Sequence, residues 1–149
     1  MDINRFTQKS QEALQDAQNN AVRYGHAEID VEHVLLALVE QTDGLVPRLF
    51  TKMDVPVDSI TAEVQRELER RPKVSGPGAE AGKIVVSQRF NKVLVKAKDE
   101  AMRLKDEYVS VEHLLFAMMD EGRSAAAGRI LSQFGITKER VLSALTSIR

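Results

Sequence analysis

The feature that most constrains this 149-residue chain is that its second half repeats its first. Residues 31–38 read VEHVLLAL and residues 111–118 read VEHLLFAM. With a shift of 80 positions, residues 6–40 align with 86–120, and ten of the 35 aligned pairs are identical. After a one-residue insertion, a shift of 81 continues to pair apolar positions. Because repeated units bury their apolar faces against one another, the repeat predicts two related halves packed together.

Each half has the sequence pattern of four helices. In the first half, apolar or small residues recur at helical spacing over 7–24, and an apolar stripe runs from Val31 to about residue 41. A short helix over about 45–52 and another from Asp58 to about Arg71 complete the unit. The second half repeats this order. The predicted N-caps are Thr7, Asp30, Asp58, Ser87, Ser110 and Thr137, and the predicted helix stops are Gly25 and Gly135.

The predicted fold class is therefore all-α, with about eight helices in two pseudo-two-fold related units. No segment alternates apolar and polar residues as a half-buried strand does, and KIVV at 83–86 is too short to found a sheet. We predict one domain over 1–149, with repeat one at 1–71, a Pro/Gly linker at 72–84 and repeat two at 85–149.

The glycine-rich linker does not fit a phosphate-binding loop. Its glycines enclose five or three residues where that motif has four, and the following lysine precedes isoleucine instead of serine or threonine. We therefore expect no nucleotide, no other cofactor and no enzyme activity in this chain.

Composition narrows the class further. The chain has 43% hydrophobic and 29% charged residues, and it lacks cysteine, which excludes disulfides and cysteine-based zinc sites. No apolar run approaches the ~20 residues of a membrane span, and the N-terminus lacks a signal-peptide pattern, so we expect a cytoplasmic setting. Residues 1–71 carry 13 acidic and 8 basic side chains, and residues 72–149 carry 9 and 13. We interpret these opposite net charges as a source of electrostatic attraction between the two halves.

The repeated Glu-His pairs leave several interpretations open. A zinc site on one helix needs histidines four positions apart, whereas His26 and His33 are seven apart and His113 lies in the other half. We predict that the repeated histidines sit in first helical turns and bond nearby backbone or the other half. Glu32 and Glu112 either complement the helix dipole or accept a cationic or amide group from a peptide. A metallohydrolase site on the three histidines remains an alternative.

A basic stripe of Arg89, Lys92, Lys96 and Arg103 follows the fifth predicted helix. Nucleic-acid binding favours aromatic residues between such charges, and aromatic residues make up only 5% of this chain. We therefore interpret the stripe as a solvated face, with nucleic-acid binding as the alternative. The groove between two packed units is the natural place for a bound peptide.

Three stretches carry a further resemblance: RFTQKSQEAL, PKVSGPGAEAG and KDEYVSVEHLLFAM. With them the whole chain resembles the Clp N-domain family, and within it the disaggregase branch of these AAA+ chaperones. The resemblance implies a monomeric substrate-recognition domain that binds exposed apolar segments of unfolded or aggregated polypeptides and delivers them to an ATPase pore. The implied full-length parent is a homohexamer that uses ATP and Mg and works with the DnaK chaperone system. No nucleic acid or membrane partner is implied.

The resemblance also implies site residues. An acid precedes the second repeat's central helix, another lies in that helix's first turn, and an apolar groove runs between the units. The implied substrate-binding residues, including two symmetry counterparts in the other half, are Thr7, Asp106, Glu112, Val93, Leu94, Glu32 and Ser87. At His113 some members of the disaggregase branch are apolar, which departs from the pattern. A second branch docks adaptors or holds phosphorylated arginine on such hydroxyl and acid pairs, and this function is the alternative.

Overall fold

The structure is a computed structural model that describes residues 3–74 and 84–148. The first unit begins with a single 3-10 turn and continues through four helices and one strand: Ile3–Arg5, α1 (Gln8–Arg23), β1 (Glu28–Ile29), α2 (Val31–Glu40), α3 (Leu45–Lys52) and α4 (Val57–Glu69). The second unit repeats the order of the helices, with its strand placed first: β2 (Val85–Val86), α5 (Gln88–Arg103), α6 (Val111–Asp120), α7 (Ala126–Gln133) and α8 (Lys138–Ile148). The glycines of the predicted linker lie outside the described residues.

The two units match helix by helix, which confirms the all-α pseudo-two-fold architecture. The helices α1 and α5 each have 16 residues, α2 and α6 each have 10, and α3 and α7 each have 8. The described ranges contain eight α-helices, as the repeat predicts. The helix α4 has 13 residues and α8 has 11.

A small sheet, which the sequence pattern did not predict, intertwines the units. The strands β1 and β2 pair in parallel, with Ile29 opposite Val86. The equivalent pairing in the other direction is a parallel bridge between Phe6 and Val109. Each pairing joins the start of one unit to the middle of the other. The prediction missed it because strands of two residues are too short to show alternation.

The repeated helices α2 and α6 form the centre of the core. Residues 31–39 and 111–118 are all buried, as expected for helices that are apolar on every side. The ring of His33 accepts a hydrogen bond at Nδ1 from the Asp30 N–H at 2.8 Å, and His113 accepts one from the Ser110 N–H at 2.8 Å. Each histidine thus takes the part that glutamate plays in a capping box. The structural prediction for these two histidines is confirmed.

Most predicted caps are also confirmed. The hydroxyls of Thr7, Ser87 and Thr137 accept hydrogen bonds from backbone N–H groups three residues later, at 3.2, 3.0 and 3.2 Å. The prediction for Asp58 is wrong, because α4 begins at Val57 and Pro56 is its N-cap residue. The Asp58 carboxylate lies in the first turn, where a negative charge still complements the helix dipole.

The contact between Gly128 and the preceding turn gives a testable prediction. A Cβ added at Gly128 would lie 2.1 Å from the Gly122 carbonyl oxygen, so α7 would have to move away from that turn. We expect Gly128→Ala to lower the free energy of unfolding by about 2 kcal/mol, measured by urea denaturation.

Gly122→Ala is the matched control for Gly128→Ala. Gly122 has a φ of +78° and open space around its Cα. We therefore expect only the conformational cost of about 1 kcal/mol. A larger loss in Gly122→Ala than in Gly128→Ala would contradict the steric argument.

Candidate functional site

The intertwined pairings bring the predicted site residues together at two places. The Ser87 N–H donates to the Ile29 carbonyl at 3.0 Å, and the equivalent Thr7 N–H donates to the Val109 carbonyl at 3.0 Å. We call the first place the Ser87 site, which contains Asp30, Glu32 and Ser87. We call the second the Thr7 site, which contains Thr7, Asp106 and Glu112. Each site combines residues from both units.

At the Ser87 site, the N-cap residue Asp30 joins the two units. Its Oδ1 accepts hydrogen bonds from the Val31 N–H at 2.8 Å and from the Ser87 hydroxyl at 2.7 Å. Its Oδ2 accepts from Arg89 at 3.0 Å and from Arg71 at 3.2 Å. Ser87 is itself buried. The predicted hydroxyl and acid of this site are therefore engaged with residues of the chain itself.

Glu32 lies in the interior of the molecule instead of at an open rim. Its side chain is fully buried. Arg71 donates to Oε1, and Arg89 and the Ala127 N–H donate to Oε2 at 2.8 Å each. Burial alone would raise the pKa of Glu32, but the two guanidinium groups outweigh it and lower the pKa to about 2. Glu32 is thus a buried carboxylate held by Arg71, Arg89 and the Ala127 N–H of the chain itself.

The groups around Glu32 form a charged cluster across the junction, which we call the arginine cluster: Asp30, Glu32, Arg71, Arg89 and Glu121. Arg89 donates to Glu121 at 2.9 and 3.0 Å as well as to Asp30 and Glu32. Burial disfavours its charge, yet its hydrogen bonds to Glu32 and Glu121 prevail and raise the pKa of Arg89. Arg89 comes from the second unit, and Asp30 and Glu32 come from the first. This arrangement agrees with our interpretation of the opposite net charges of the halves.

The basic stripe on α5 is only partly a solvated face. Lys92, Lys96 and Arg103 are exposed, as predicted, whereas Arg89 belongs to the arginine cluster. Sequence reasoning did not find the roles of Arg71 and Arg89. The one available signal was the charge difference between the halves, which does not identify individual pairs.

At the Thr7 site, the same backbone arrangement carries a more open set of side chains. Ser10 donates its hydroxyl to the Val109 carbonyl at 2.9 Å, and Thr7 donates to the Ser10 hydroxyl at 3.0 Å. Thr7 is half-buried, and Glu112 is buried in the first turn of α6. Asp106 is exposed and precedes α6 in the loop that follows α5.

The histidines distinguish the two sites. Because Nδ1 of each capping histidine is an acceptor, the neutral ring carries its proton on Nε2 and donates from there. His33 donates to His26 Nδ1 at 2.8 Å, whereas His113 donates to Asp106 Oδ2 at 2.8 Å. His26 and Asp106 occupy equivalent positions of the repeat. Burial, followed by the neighbouring His26 and Arg71, lowers the pKa of His33 to about 4.

The surroundings of the Thr7 site are apolar and exposed. In the loop between α5 and α6, Tyr108 is 48% exposed and Leu104 is 39% exposed. Met102 at the end of α5 is 72% exposed. Ile3, which precedes the bridge residue Phe6, is 49% exposed. Because three of these side chains, Met102, Leu104 and Tyr108, lie within seven positions around one turn, they form a candidate binding surface.

Residues 5–134 match the family described as the Clp repeat (R) N-terminal domain. The chain belongs to this family. It is 52% identical over all 149 residues to the chaperone protein ClpB of Nitratidesulfovibrio vulgaris (strain Hildenborough), and 40% identical over 149 residues to the chaperone protein ClpB of Bacillus anthracis. The chain covers 17% of the length of each of these relatives. The resemblance that the sequence motifs indicated is confirmed.

Solved structures share the Clp N-domain fold. The Hsp104 N-terminal domain from Candida albicans matches with a TM-score of 0.77 at 21% identity, covering 93% of this chain and 87% of that chain. The N-terminal domain of the ClpV1 ATPase from E. coli matches with a TM-score of 0.76 at 23% identity, covering 95% and 83%. At these identities the two structures establish the fold alone.

In this Clp N-domain, the predicted apolar contacts lie at or below the surface of α5. Val93 is 3% exposed and belongs to the core, whereas Leu94 is half-buried and packs against the core. Two adjoining cavities of about 400 and 710 Å³ lie where α3 meets α8, and both are lined by Lys52 and Asp54. None of the seven predicted site residues lines either cavity. The binding roles of all seven residues stay predictions: Thr7, Asp106, Glu112, Val93, Leu94, Glu32 and Ser87.

The described part of this Clp N-domain contains no cluster of three or more histidine, aspartate, glutamate or cysteine side chains that could hold a metal ion. The ring of His26 is buried against His33, and His113 belongs to the other site. Across residues 3–74 and 84–148, no helix has the length and apolarity that crossing a bilayer requires.

Proposed function

We propose that this chain is the polypeptide-recognition domain of an ATP-dependent chaperone and that its Thr7 site binds exposed apolar segments of unfolded or aggregated proteins. One observation carries the proposal. Exposed apolar side chains border the Thr7 site, whereas at the Ser87 site, where Val85 and Val86 are also exposed, residues 71–74 lie across the equivalent turn between α1 and α2. Binding at the Thr7 site would therefore bury Tyr108, Leu104 and Met102 without displacing any described part of the chain.

The polar groups of the Thr7 site orient the bound segment in this proposal. Asp106 is held by His113 at 2.8 Å, so its carboxylate is positioned before a ligand arrives. Thr7, the half-buried N-cap residue of α1, presents a hydroxyl from the other unit. Weak burial of apolar side chains tolerates many sequences, which suits a domain that meets diverse unfolded chains.

The remaining steps belong to a longer protein. Since ClpB relatives are chaperones and this chain covers 17% of their length, we propose that the parent delivers bound segments to an ATPase pore. In the same proposal the parent is a homohexamer that binds ATP and Mg and works with the DnaK system.

A direct test compares an unfolded protein with its own folded form. A reduced and carboxymethylated client should bind the fluorescently labelled chain, and the native client should not. Equal binding of both forms, or binding of neither, would contradict the proposed function.

Tyr108→Ser tests where the client binds. We expect loss of about 1 kcal/mol of binding free energy, or a roughly fivefold higher Kd, because an exposed aromatic contact is removed. Thermal unfolding should be nearly unchanged, since Tyr108 is half exposed. The matched control is Glu28→Ser, which alters the equivalent exposed position beside the Ser87 site and should leave the Kd unchanged. An equal effect of both substitutions would contradict binding at the Thr7 site.

A second candidate function is recognition of phosphorylated arginine or of an adaptor. It is favoured by the way Glu32 holds the guanidinium groups of Arg71 and Arg89, because Glu112 is its counterpart at the Thr7 site. Free phosphoarginine should then compete with a bound client, whereas a site for apolar segments should be insensitive to it.

A further inference from the structure

Residues 71–74 of the chain itself form a segment that binds at the turn between α1 and α2. After α4, residues 71–74 run back across the turn between α1 and α2. The Val74 N–H donates to the Gly25 carbonyl at 2.7 Å. Three residues earlier, Arg71 donates to Asp30 and Glu32. A single backbone hydrogen bond and one cationic side chain thus fix the register of this segment on the turn.

The turn between α5 and α6 repeats the conformation of the occupied turn. Gly25 and Lys105 are equivalent positions, and their φ angles are +72° and +60°. The backbone bonds match as well: the N–H after Gly25 donates to Ala21 at 2.9 Å, and the N–H after Lys105 donates to Ala101 at 2.8 Å. The Lys105 carbonyl therefore has the same orientation relative to its turn as the Gly25 carbonyl has relative to the first turn. No residue in the described ranges donates a hydrogen bond to it.

The side chain of Lys105 leaves room for the same docking. A Cβ built on Gly25 would lie 3.6 Å from the Val74 carbonyl oxygen and 3.7 Å from the Lys73 Cβ. These are ordinary van der Waals distances, so a residue with a Cβ at this position is compatible with a segment lying across the turn. The Cβ that Lys105 has and Gly25 lacks therefore does not prevent a segment from binding across the turn between α5 and α6.

The side chains around the turn between α5 and α6 indicate which kind of peptide segment it would bind. Apolar side chains border it at Met102, Leu104 and Tyr108, all exposed. Asp106 and Glu107 are also exposed beside it. An extended segment with an apolar residue complements the exposed apolar side chains, and a basic residue placed on the side of Asp106 complements that carboxylate.

We propose that the turn between α5 and α6 binds an extended client segment in the register of residues 71–74, with a basic residue three positions before a β-branched apolar residue whose N–H donates to the Lys105 carbonyl. The basic residue then lies toward the exposed Asp106, because Arg71 lies beside His26, the counterpart of Asp106, in the first unit. This proposal rests on the proposed function and adds a register and a sequence preference to it. The occupant is a segment of another polypeptide.

The test uses a peptide copied from the chain. The ¹⁵N-labelled 149-residue chain is titrated with the capped peptide ERRPKVS, the sequence of residues 69–75, and with the same peptide N-methylated at valine. We expect shifts at Lys105, Asp106 and Tyr108 with the first peptide. N-methylation removes the backbone donor and should weaken binding by about tenfold.

Two further variants distinguish binding in the proposed register from nonspecific binding. A peptide with glutamate in place of the second arginine should bind less tightly, because its carboxylate would face the exposed Asp106. The protein variant Tyr108→Ser should weaken the unmodified peptide severalfold, and the matched Glu28→Ser should not. Shifts confined to the Ser87 site would overturn the proposal.

The outcomes distinguish this inference from the proposed function. If unfolded clients bind at the Thr7 site while N-methylation has no effect, the register is wrong and the proposed function stands. If neither the client nor the peptide binds, both are wrong. Concentration-dependent shifts at the same residues without peptide would overturn the inference in favour of a second copy of the chain.

Discussion

Replacing Glu32 with alanine is expected to lower the free energy of unfolding by about 4 kcal/mol. The substitution leaves two partly buried guanidinium groups, those of Arg71 and Arg89, with less compensating charge. It also removes the acceptor of the Ala127 N–H, which lies in the first turn of α7. Urea denaturation at pH 7 and 25 °C measures the loss.

Two controls make this result specific to the arginine cluster. Glu63→Ala removes a half-buried carboxylate paired with the exposed Arg66 on α4, and it should cost less than about 0.5 kcal/mol. Replacing Glu32 and Arg89 together with methionine should cost less than Glu32→Ala, because no unpaired partner of that pair remains buried. A value for Glu32→Ala within about 0.5 kcal/mol of the parent chain would contradict the assigned role.

The same variant separates a structural residue from a ligand contact. At a temperature where Glu32→Ala is fully folded, we expect unfolded clients to bind with unchanged Kd, since the carboxylate is buried against the chain's own arginines. A large rise in Kd without loss of folded protein would return Glu32 to the set of binding residues.

The helices were predictable because their signals are local. Apolar spacing and capping hydroxyls depend on residues three or four positions apart, so α1, α2 and their copies begin close to where the sequence indicates. The duplicated pattern then supplied the two-fold architecture. The small sheet and the arginine cluster were not predictable from such spacing, because their partners lie far apart in the chain. Arg89 and Glu32, for example, are separated by 57 positions.

The site was only partly predictable, because residues that are identical in the two repeats have different neighbours in the folded chain. Both copies of Val-Glu-His begin a buried helix, and both histidines cap it. One change between the repeats, His26 against Asp106, exchanges a buried ring for an exposed carboxylate. Whether each surface is open depends on residues 71–74, which reach one turn only. No pattern within either repeat contains that information.

Stability is expected to fall by about 3 kcal/mol as pH is lowered from about 6.5 to about 4. The pKa of His33 is about 4 in the folded chain, against an ordinary value of 6.5, because burial and then His26 and Arg71 disfavour its charge. The unfolded chain therefore takes up the proton first. The stabilisation that neutral His33 contributes is complete above about pH 6.5 and is lost as the pH falls toward 4. Asp30 and Glu32, which also face the ring, oppose this shift without reversing it.

The variant His33→Gln tests this assignment. Glutamine can still accept the Asp30 N–H in a capping box, but it does not titrate. We expect urea unfolding between pH 7 and 4.5 to show a smaller slope of stability against pH than in the parent chain. His113→Gln, at the equivalent position, leaves the His33 ring in place and should retain the slope. If the slope survived in His33→Gln and disappeared in His113→Gln, the pH dependence would belong to the Thr7 site instead.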